Sequence, residues 1–210
     1  MSTEAWIKSQ LPPPPARVLE IGCGDGRLAR ALKRGGYDVV AVDPRAPKGL
    51  IFRQCRIEDL DEVRRFDVAV AGLALHHVGS LGVVLDKIRG LVRARGRFVV
   101  YEFAWDQFDR KTAEWFWIRR RGLSPKLRRH LGGRTPAVSL KRWRRTFGDL
   151  HTYPQMRRAL ERRFATRFFA WTPYLHEYPL GISSESQEHL AIQTGAIRPL
   201  GFRYVGQRRG

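Results

Sequence analysis

The run from Val18 to Leu28 constrains the fold of this chain more than any other segment, because it predicts a strand, a tight turn and a helix in succession. Its apolar start lacks the alternation of a half-exposed strand and is typical of a parallel strand buried on both faces. Glycine then occupies every second position, at Gly22, Gly24 and Gly26. Glycine lets the backbone turn sharply and lets a ligand approach where a Cβ would block it. The three elements together predict a ligand-binding crevice.

The spacing of the glycines argues against a dinucleotide ligand. The dinucleotide pattern G-x-G-x-x-G would place its third glycine at position 27, which is Arg. An acidic residue, Glu20, lies two positions before the first glycine and gives the pattern E-x-G-x-G-x-G. This pattern resembles motif I of the class I S-adenosylmethionine (SAM)-dependent methyltransferases. The resemblance implies that Glu20 orients the ammonium group of SAM, and that the turn residues Gly22, Cys23, Gly24 and Gly26 make room for its amino-acid part. A tight strand-to-helix turn without a ligand is the alternative.

A second buried strand is predicted over residues 39–43, and it ends in a carboxylate, Asp43. An acid at the end of the second strand suits a cis-diol, because its two oxygens can accept both ribose hydroxyl hydrogens. Pro44 follows, stops the strand and fixes the local turn. The alternative for Asp43 is a helix N-cap or an ordinary turn acid.

A short third strand is predicted over residues 50–53 and leads to the stretch Arg56-Ile57-Glu58-Asp59. In the methyltransferase family this stretch contacts the adenine, often through an aspartate where this chain has Arg56. Ile57 could still flank the ring, and Glu58 or Asp59 could accept a hydrogen bond from the exocyclic amine. Acids at a helix start are the alternative for both carboxylates.

A fourth strand with a small-residue end is predicted over residues 66–78, which close with Leu-His-His-Val. The block resembles the fourth-strand motif of the methyltransferase type 11 group. The resemblance implies that Gly72 and Leu73 lie under the methionine part of SAM. His76 and His77 are candidates for a base or a substrate contact, because imidazole titrates near neutral pH. For both histidines, packing or capping of the next helix is the alternative. Glu102, at the end of the fifth strand, is a third catalytic candidate.

The alternation of strands and helices predicts a single α/β fold. A helix over 81–92 is followed by a turn at Arg95-Gly96 and a strand over 97–103. Together with the resemblance, this indicates a Rossmann-like, doubly wound, seven-stranded sheet with an inserted helical cap. The expected parts are an N-terminal helix and Pro-rich lead-in (1–16), a SAM-binding core (17–103), a basic and aromatic helical cap (104–163) and C-terminal strands and a helix that complete the sheet (164–210).

The charge of the chain is strongly positive and unevenly distributed. The formal net charge is +19, and residues 104–163 hold 17 Lys or Arg and 5 Asp or Glu, interleaved with aromatic residues. Such a surface is typical of nucleic-acid binders, which keeps RNA open as a partner. However, Arg is favoured over Lys along the whole chain, including ordinary helix faces. That distribution favours a general arginine bias and solvated faces.

The sequence thus predicts an enzyme that transfers a methyl group from SAM to a small molecule by in-line displacement. The alternatives are an RNA methyltransferase that uses the basic 104–163 region, and a non-catalytic SAM-binding protein. We expect no metal, because the two cysteines form no ligand cluster. The chain has no apolar run long enough to span a membrane, so we expect no membrane partner and a cytoplasmic location.

Overall fold

The fold was obtained as a computed structural model, which describes residues 2–177 and 180–209. The strands are β1 (Arg17–Ile21), β2 (Asp38–Val42), β3 (Phe52–Arg53), β4 (Phe66–Gly72), β5 (Val92–Phe103), β6 (Phe164–Thr172) and β7 (Gly201–Arg208). The α-helices are α1 (Thr3–Ser9), α2 (Arg27–Arg34), α3 (Leu81–Leu91), α4 (Arg110–Arg119), α5 (Pro125–Leu131), α6 (Pro136–Phe147), α7 (Tyr153–Arg163) and α8 (Glu185–Gln193).

The described strands form one seven-stranded sheet in the order β3-β2-β1-β4-β5-β7-β6. The pairs β1-β2, β1-β4, β2-β3 and β4-β5 are parallel. At the end of β7, Gln207 Nε2 donates to the Arg95 carbonyl at 2.9 Å, and Arg208 donates to the Val92 carbonyl. Because β7 therefore ends where β5 begins, it runs antiparallel to β5. This arrangement confirms the predicted seven-stranded α/β fold, and it places the antiparallel strand β7 inside the sheet, between β5 and β6.

The central strands are buried on both faces, as their unbroken apolar sequences predicted. All five residues of β1 are buried, including Arg17, whose guanidinium pairs with Asp38 and Glu62. Helix α2 covers the sheet with Ala29 and Leu32, both fully buried. Because these strands are buried on two faces, their positions in the sheet are fixed. Their carboxyl ends form the edge of the sheet at which the glycine turn lies.

Strand β5 departs from the sequence prediction. The predicted turn at Arg95-Gly96 is wrong, because the strand runs continuously from Val92 through both residues. The pairing of β5 with β4 instead shifts register between Phe66 and Val68. Arg95 has a positive φ of 62°, and a Cβ on Gly96 would lie 2.6 Å from Val92 Cγ1. The turn signal therefore marks an irregularity within a strand, where the backbone passes too close for a side chain.

Strand β3 is shorter than predicted. It covers Phe52–Arg53, which pair with Ala41 and Val42 of β2. Leu50, placed in the strand by its apolar character, is 97% exposed instead. As the edge strand of the sheet, β3 has a neighbour on one side only, so apolar sequence alone does not extend its pairing.

The chain divides into two compact units. The first unit comprises Met1–Glu102, Gln155–Phe169 and Arg203–Gly210, and the second comprises Phe103–Pro154 and Ala170–Phe202. In the second unit α5 begins at Pro125 and α6 at Pro136, where proline is favoured at the first position of a helix. The hydroxyls of Ser124 and Thr135 cap these helices. Its core is aromatic, with Phe108 stacked on Trp143 at 4.0 Å between ring centroids.

Candidate active site

A cavity of about 690 Å³ lies in the first unit at the carboxyl ends of β1, β2 and β4. Parallel sheets of this kind bind ligands at this edge, because the loops after the strands converge there. Six of the predicted cofactor residues line it: Gly22, Asp43, Pro44, Ile57, Glu58 and Leu73. His77 also lines it, as the one of the three predicted catalytic residues that does so.

The glycine turn adopts backbone conformations that other residues rarely take. Gly22, Gly24 and Gly26 have φ values of 73°, 53° and 75°. A Cβ on Gly22 would lie 2.6 Å from the Ala74 Cβ, whereas a Cβ on Gly24 would meet no atom within 4 Å. Gly22 is therefore required by packing, and Gly24 opens onto free space. The same residue types at alternate positions thus serve two different purposes.

Asp43 joins the end of β2 to the glycine turn. Its Oδ2 accepts a hydrogen bond from the Gly24 N–H at 3.1 Å, and its Oδ1 accepts one from the Arg45 N–H at 2.7 Å. The carboxylate is half-buried and lines the cavity. Since each carboxylate oxygen has two acceptor sites, both oxygens keep capacity for hydroxyl donors.

Glu20 is a buried acid behind the glycine turn. The residue is 6% exposed, and among the described residues its Oε2 has no hydrogen-bond partner. Burial raises the pKa of Glu20 to about 8, and the nearby Asp25 and Asp43 carboxylates add to the rise. Burial also raises the pKa of the Cys23 thiol to about 12, so Cys23 stays protonated and contributes backbone to the turn. A buried carboxyl with an unused oxygen is suited to a cationic group.

The raised pKa of Glu20 predicts a pH-dependent stability. The native state holds the Glu20 proton up to about pH 8, whereas the unfolded chain releases it near the ordinary value of 4.5. The native state therefore binds more protons in this window, and its free energy of unfolding falls as the pH rises. Between pH 5 and pH 8 we expect the wild type to lose about 3 kcal/mol more than Glu20→Gln. Urea denaturation of both proteins at the two pH values measures this difference, and equal losses would contradict it.

The loop after β4 is held by a buried carboxylate. Glu102 is fully buried and accepts hydrogen bonds from the Ala74 N–H at 2.7 Å and from the Leu75 N–H. Its other oxygen contacts His76 Nδ1 at 2.5 Å. Leu73, with a φ of 55°, begins this loop and donates its N–H to the Tyr101 carbonyl at 2.8 Å. The contacts of Glu102 fix the backbone that forms one wall of the cavity.

The two adjacent histidines have different surroundings. His76 is buried against Glu102, whereas His77 is exposed and faces the cavity. Their ring centroids lie 4.2 Å apart. Partial burial lowers the pKa of His77 below its ordinary value, and the neighbouring His76 lowers it further. His77 is therefore mainly neutral near pH 7 and has a ring nitrogen able to accept a proton.

The remaining predicted residues are not part of the cavity lining. They are Glu20, Cys23, Gly24, Gly26, Gly72, His76 and Glu102. Sequence reasoning missed Arg45 as a lining residue, and Arg56 lines the cavity although it departs from the family pattern. Arg45 follows Asp43 by two positions, so its place after the strand end was the available signal. Both arginines add positive charge near the carboxylates of Asp43 and Glu58.

No group of His, Cys, Asp and Glu side chains in residues 2–177 and 180–209 is arranged to hold a metal ion. In the same part of the chain, no helix has the length and apolar character needed to cross a membrane.

Comparison with known proteins assigns the family. A family model described as a methyltransferase domain matches residues 4–148. The chain therefore belongs to the methyltransferase domain family, and its sheet is that of the class I SAM-dependent methyltransferases.

Individual relatives cover different parts of the chain. The ubiquinone biosynthesis O-methyltransferase of Bradyrhizobium diazoefficiens is 32% identical over 97 residues, which are 40% of this chain and 38% of that protein. The chain thus spans about two fifths of the length of the curated relatives that it matches.

The fold of the chain is similar to that of solved methyltransferase structures. The SAM-dependent methyltransferase of Mesorhizobium loti has a TM-score of 0.58 and 16% identity, over 97% of this chain and 96% of that one. The 1,6-didemethyltoxoflavin-N1-methyltransferase of Burkholderia thailandensis has a TM-score of 0.57 and 19% identity, over 99% and 76%. At this identity the likeness concerns the fold alone.

Proposed function

We propose that this chain is a SAM-dependent methyltransferase that transfers a methyl group to a small-molecule acceptor. The observation that carries the proposal is the junction at the carboxyl edge of the sheet, where Asp43 accepts the Gly24 N–H beside a turn open to solvent. The family match supports the reaction class.

The amino-acid end of SAM fits the residues around the glycine turn. The unpartnered Oε2 of Glu20 is a suitable acceptor for its ammonium group, and binding that cation would favour the charged carboxylate. The space in front of Gly24, free of atoms within 4 Å of a Cβ, admits a ligand close to the backbone. Gly72 likewise has nothing within 4 Å of a Cβ and ends β4 at the same edge.

The nucleoside end of SAM fits Asp43 and the stretch after β3. Asp43 keeps acceptor capacity for the two ribose hydroxyls. Ile57 is buried and lines the cavity, where it can flank the adenine ring, and Glu58 beside it can accept from the exocyclic amine. Arg56 replaces the usual aspartate of the family and is exposed at the cavity wall. We therefore assign the adenine contacts to Ile57 and Glu58.

The chemistry asks little of the protein beyond position and proton transfer. When bound, SAM supplies an activated methyl group on a sulfonium. The chain orients the two reactants and excludes water, and such positioning lowers the barrier to the reaction. We assign proton acceptance to His77, because it faces the cavity and its lowered pKa keeps it neutral. We assign positioning roles to Glu102 and His76, which hold the His77 loop.

A small molecule is the acceptor class that the relatives favour. The curated relatives are named for ubiquinone biosynthesis, and the Burkholderia structure for a toxoflavin precursor. The RNA alternative and the non-catalytic alternative gain no support from these names. We retain the basic helical region 104–163 as a cap that selects the acceptor, and a cytoplasmic location, as parts of the proposal that the sequence suggests.

A pair of glycine variants separates ligand access from folding. Gly24→Ala places a methyl group in the space proposed for SAM, so we expect its affinity for SAM to fall at least about 10-fold. The strained φ costs about 1–2 kcal/mol of stability, which leaves the protein folded. Gly195→Ala is the matched control, because Gly195 also has a positive φ and open space around its Cβ position. We expect the same stability loss there and unchanged SAM affinity by calorimetry. Equal affinities in both variants would contradict the placement.

Label transfer tests the proposed reaction. The purified chain is incubated with SAM carrying a labelled methyl group, together with metabolite and RNA fractions from the source cells. We expect the label in the small-molecule fraction, with His77→Ala strongly reducing the rate. Label that enters RNA alone would overturn the acceptor class. Label in neither fraction, with SAM bound, would favour the non-catalytic alternative.

A further inference from the structure

A second cavity, of about 350 Å³, lies within the second unit. Its walls are formed mainly by apolar side chains: Phe103, Leu127, Leu131, Phe147, Tyr174 and Leu180. His130 and Thr146 complete the lining, and both residues are exposed. Ligand cavities for small molecules begin at about 300 Å³ and are mostly apolar with a few polar groups. The cavity therefore has the size and character of a ligand site.

The walls of this cavity are firmly packed. Phe103 stacks on Tyr174 at 4.3 Å between ring centroids, with an interplanar angle of 17°. Phe147 packs edge-on against Phe103 at 5.2 Å and contacts Trp143 at 4.7 Å. Trp143 is fully buried, and its indole N–H donates to the Trp105 carbonyl at 2.9 Å. Because the aromatic side is anchored in the core, the space is a shaped recess and not a loose packing defect.

A buried carboxylate fixes the Tyr174 wall. Glu188, on α8, is fully buried and accepts from the N–H groups of Tyr174 at 2.6 Å, Leu175 at 2.9 Å and His176 at 2.9 Å. It also contacts His176 Nδ1 at 3.0 Å. The arrangement repeats that of Glu102 in the first unit, where a buried carboxylate holds the backbone of a cavity wall and a histidine. Burying a carboxylate is costly unless it is fully hydrogen-bonded, and here it has four donors.

The helices that form the cavity are strongly cationic. Residues 115–148 contain eleven Lys and Arg residues and no Asp or Glu. Within the part of the chain that the structure describes, none of these eleven forms an ion pair. Helix α5 supplies Leu127 and Leu131 to the cavity and exposes Lys126, Arg128 and Arg129. Arg144 and Arg145 are exposed on α6, which supplies Phe147. The surface next to the apolar recess is thus complementary to an anion.

We propose that the cavity of the second unit binds the apolar group of an organic anion, a molecule with an alkyl, isoprenoid or aryl part and a phosphate or carboxylate. The apolar part occupies the recess, and the anionic part remains at the cationic surface of α5 and α6. Binding of this kind requires no methyl transfer. That the methyl acceptor belongs to this chemical class is a further step, which rests on the proposed function.

Three probes separate the two parts of the proposed ligand. Calorimetric titrations use decyl phosphate below its micelle concentration, decanol as the neutral analogue and inorganic phosphate as the head group alone. We expect saturable binding of one decyl phosphate per chain. Decanol is expected to bind about 10-fold or more weakly, because the charge-assisted contacts are lost. Inorganic phosphate is expected to show no saturation. Decanol binding as tightly as decyl phosphate would overturn the anionic part of the proposal. Absence of decyl phosphate binding would overturn it entirely.

Two matched variants locate the site. Leu127→Trp places a bulky ring at the cavity wall and is expected to weaken decyl phosphate binding at least about 10-fold. Val138→Trp introduces the same side chain on α6 at a residue that is 39% exposed and outside the lining, and is expected to leave binding unchanged. Equal affinities in the two variants would overturn the location.

Titration of SAM keeps the two proposals distinguishable. Bound decyl phosphate without SAM binding would refute the proposed function alone, and the reverse result would refute this inference alone.

Discussion

Replacing Asp43 by alanine is expected to weaken SAM binding about 100-fold, because hydrogen bonds to charged groups contribute about 1.5–3 kcal/mol each. The variant loses the acceptor proposed for the ribose hydroxyls. It also leaves the Gly24 N–H without the hydrogen bond that it donates to Asp43 Oδ2 in the wild type, at 3.1 Å. Calorimetry with SAM measures the change. Asp43→Asn keeps one carbonyl oxygen and is expected to lose about 10-fold, between the wild type and alanine.

Asp61→Ala serves as the control for this prediction. Asp61 is exposed and is not part of the cavity lining, so its replacement changes the net charge by the same amount without touching the site. We expect unchanged SAM affinity. If Asp43→Ala and Asp61→Ala bind SAM equally well, Asp43 does not hold the ribose.

Replacing Glu102 by alanine is expected to destabilise the protein by about 3–5 kcal/mol, the usual cost of removing one partner from a buried charged cluster. The variant leaves the Ala74 and Leu75 N–H groups and the His76 ring without the carboxylate that they now share. The loop that carries His77 would lose its anchor with them. Urea denaturation measures the change in free energy of unfolding.

Glu102→Gln separates positioning from catalysis. Its amide oxygen can still accept from the loop N–H groups, so we expect it to recover more than half of the lost stability and to keep a methyl-transfer rate near that of the wild type. Glu114→Ala, at an exposed residue paired with Arg110, is the surface control and should cost less than about 1 kcal/mol. A folded Glu102→Gln protein with abolished transfer would instead assign Glu102 a direct catalytic role.

Much of the fold and of the candidate cofactor site could be predicted from local sequence. The glycine turn, Asp43 and Pro44 are adjacent to strand ends, and the topology of a parallel sheet brings such residues to one edge. The structure places Gly22, Asp43, Pro44, Ile57, Glu58 and Leu73 around one cavity in this way. These features depend on short segments whose patterns are complete in the sequence.

Other features depend on contacts between distant segments. The hydrogen bonds of Glu102 join it to a loop 26–28 residues earlier in the chain, and the strand pattern that made Glu102 a catalytic candidate does not indicate these contacts. Strand β5 continues through Arg95 and Gly96 because it pairs with β4 on both sides of a register shift. A local turn signal contains no information about that pairing. The recess held by Glu188 requires packing among α5, α6 and the Tyr174 loop, so no sequence motif marked it.

A calorimetric titration of the chain with SAM tests the central claim most directly. We expect one molecule of SAM bound per chain, competition by S-adenosylhomocysteine, and a marked loss of affinity in Asp43→Ala. A chain that binds no SAM, or that binds it equally well without Asp43 and with Gly24→Ala, would contradict the assignment of this site.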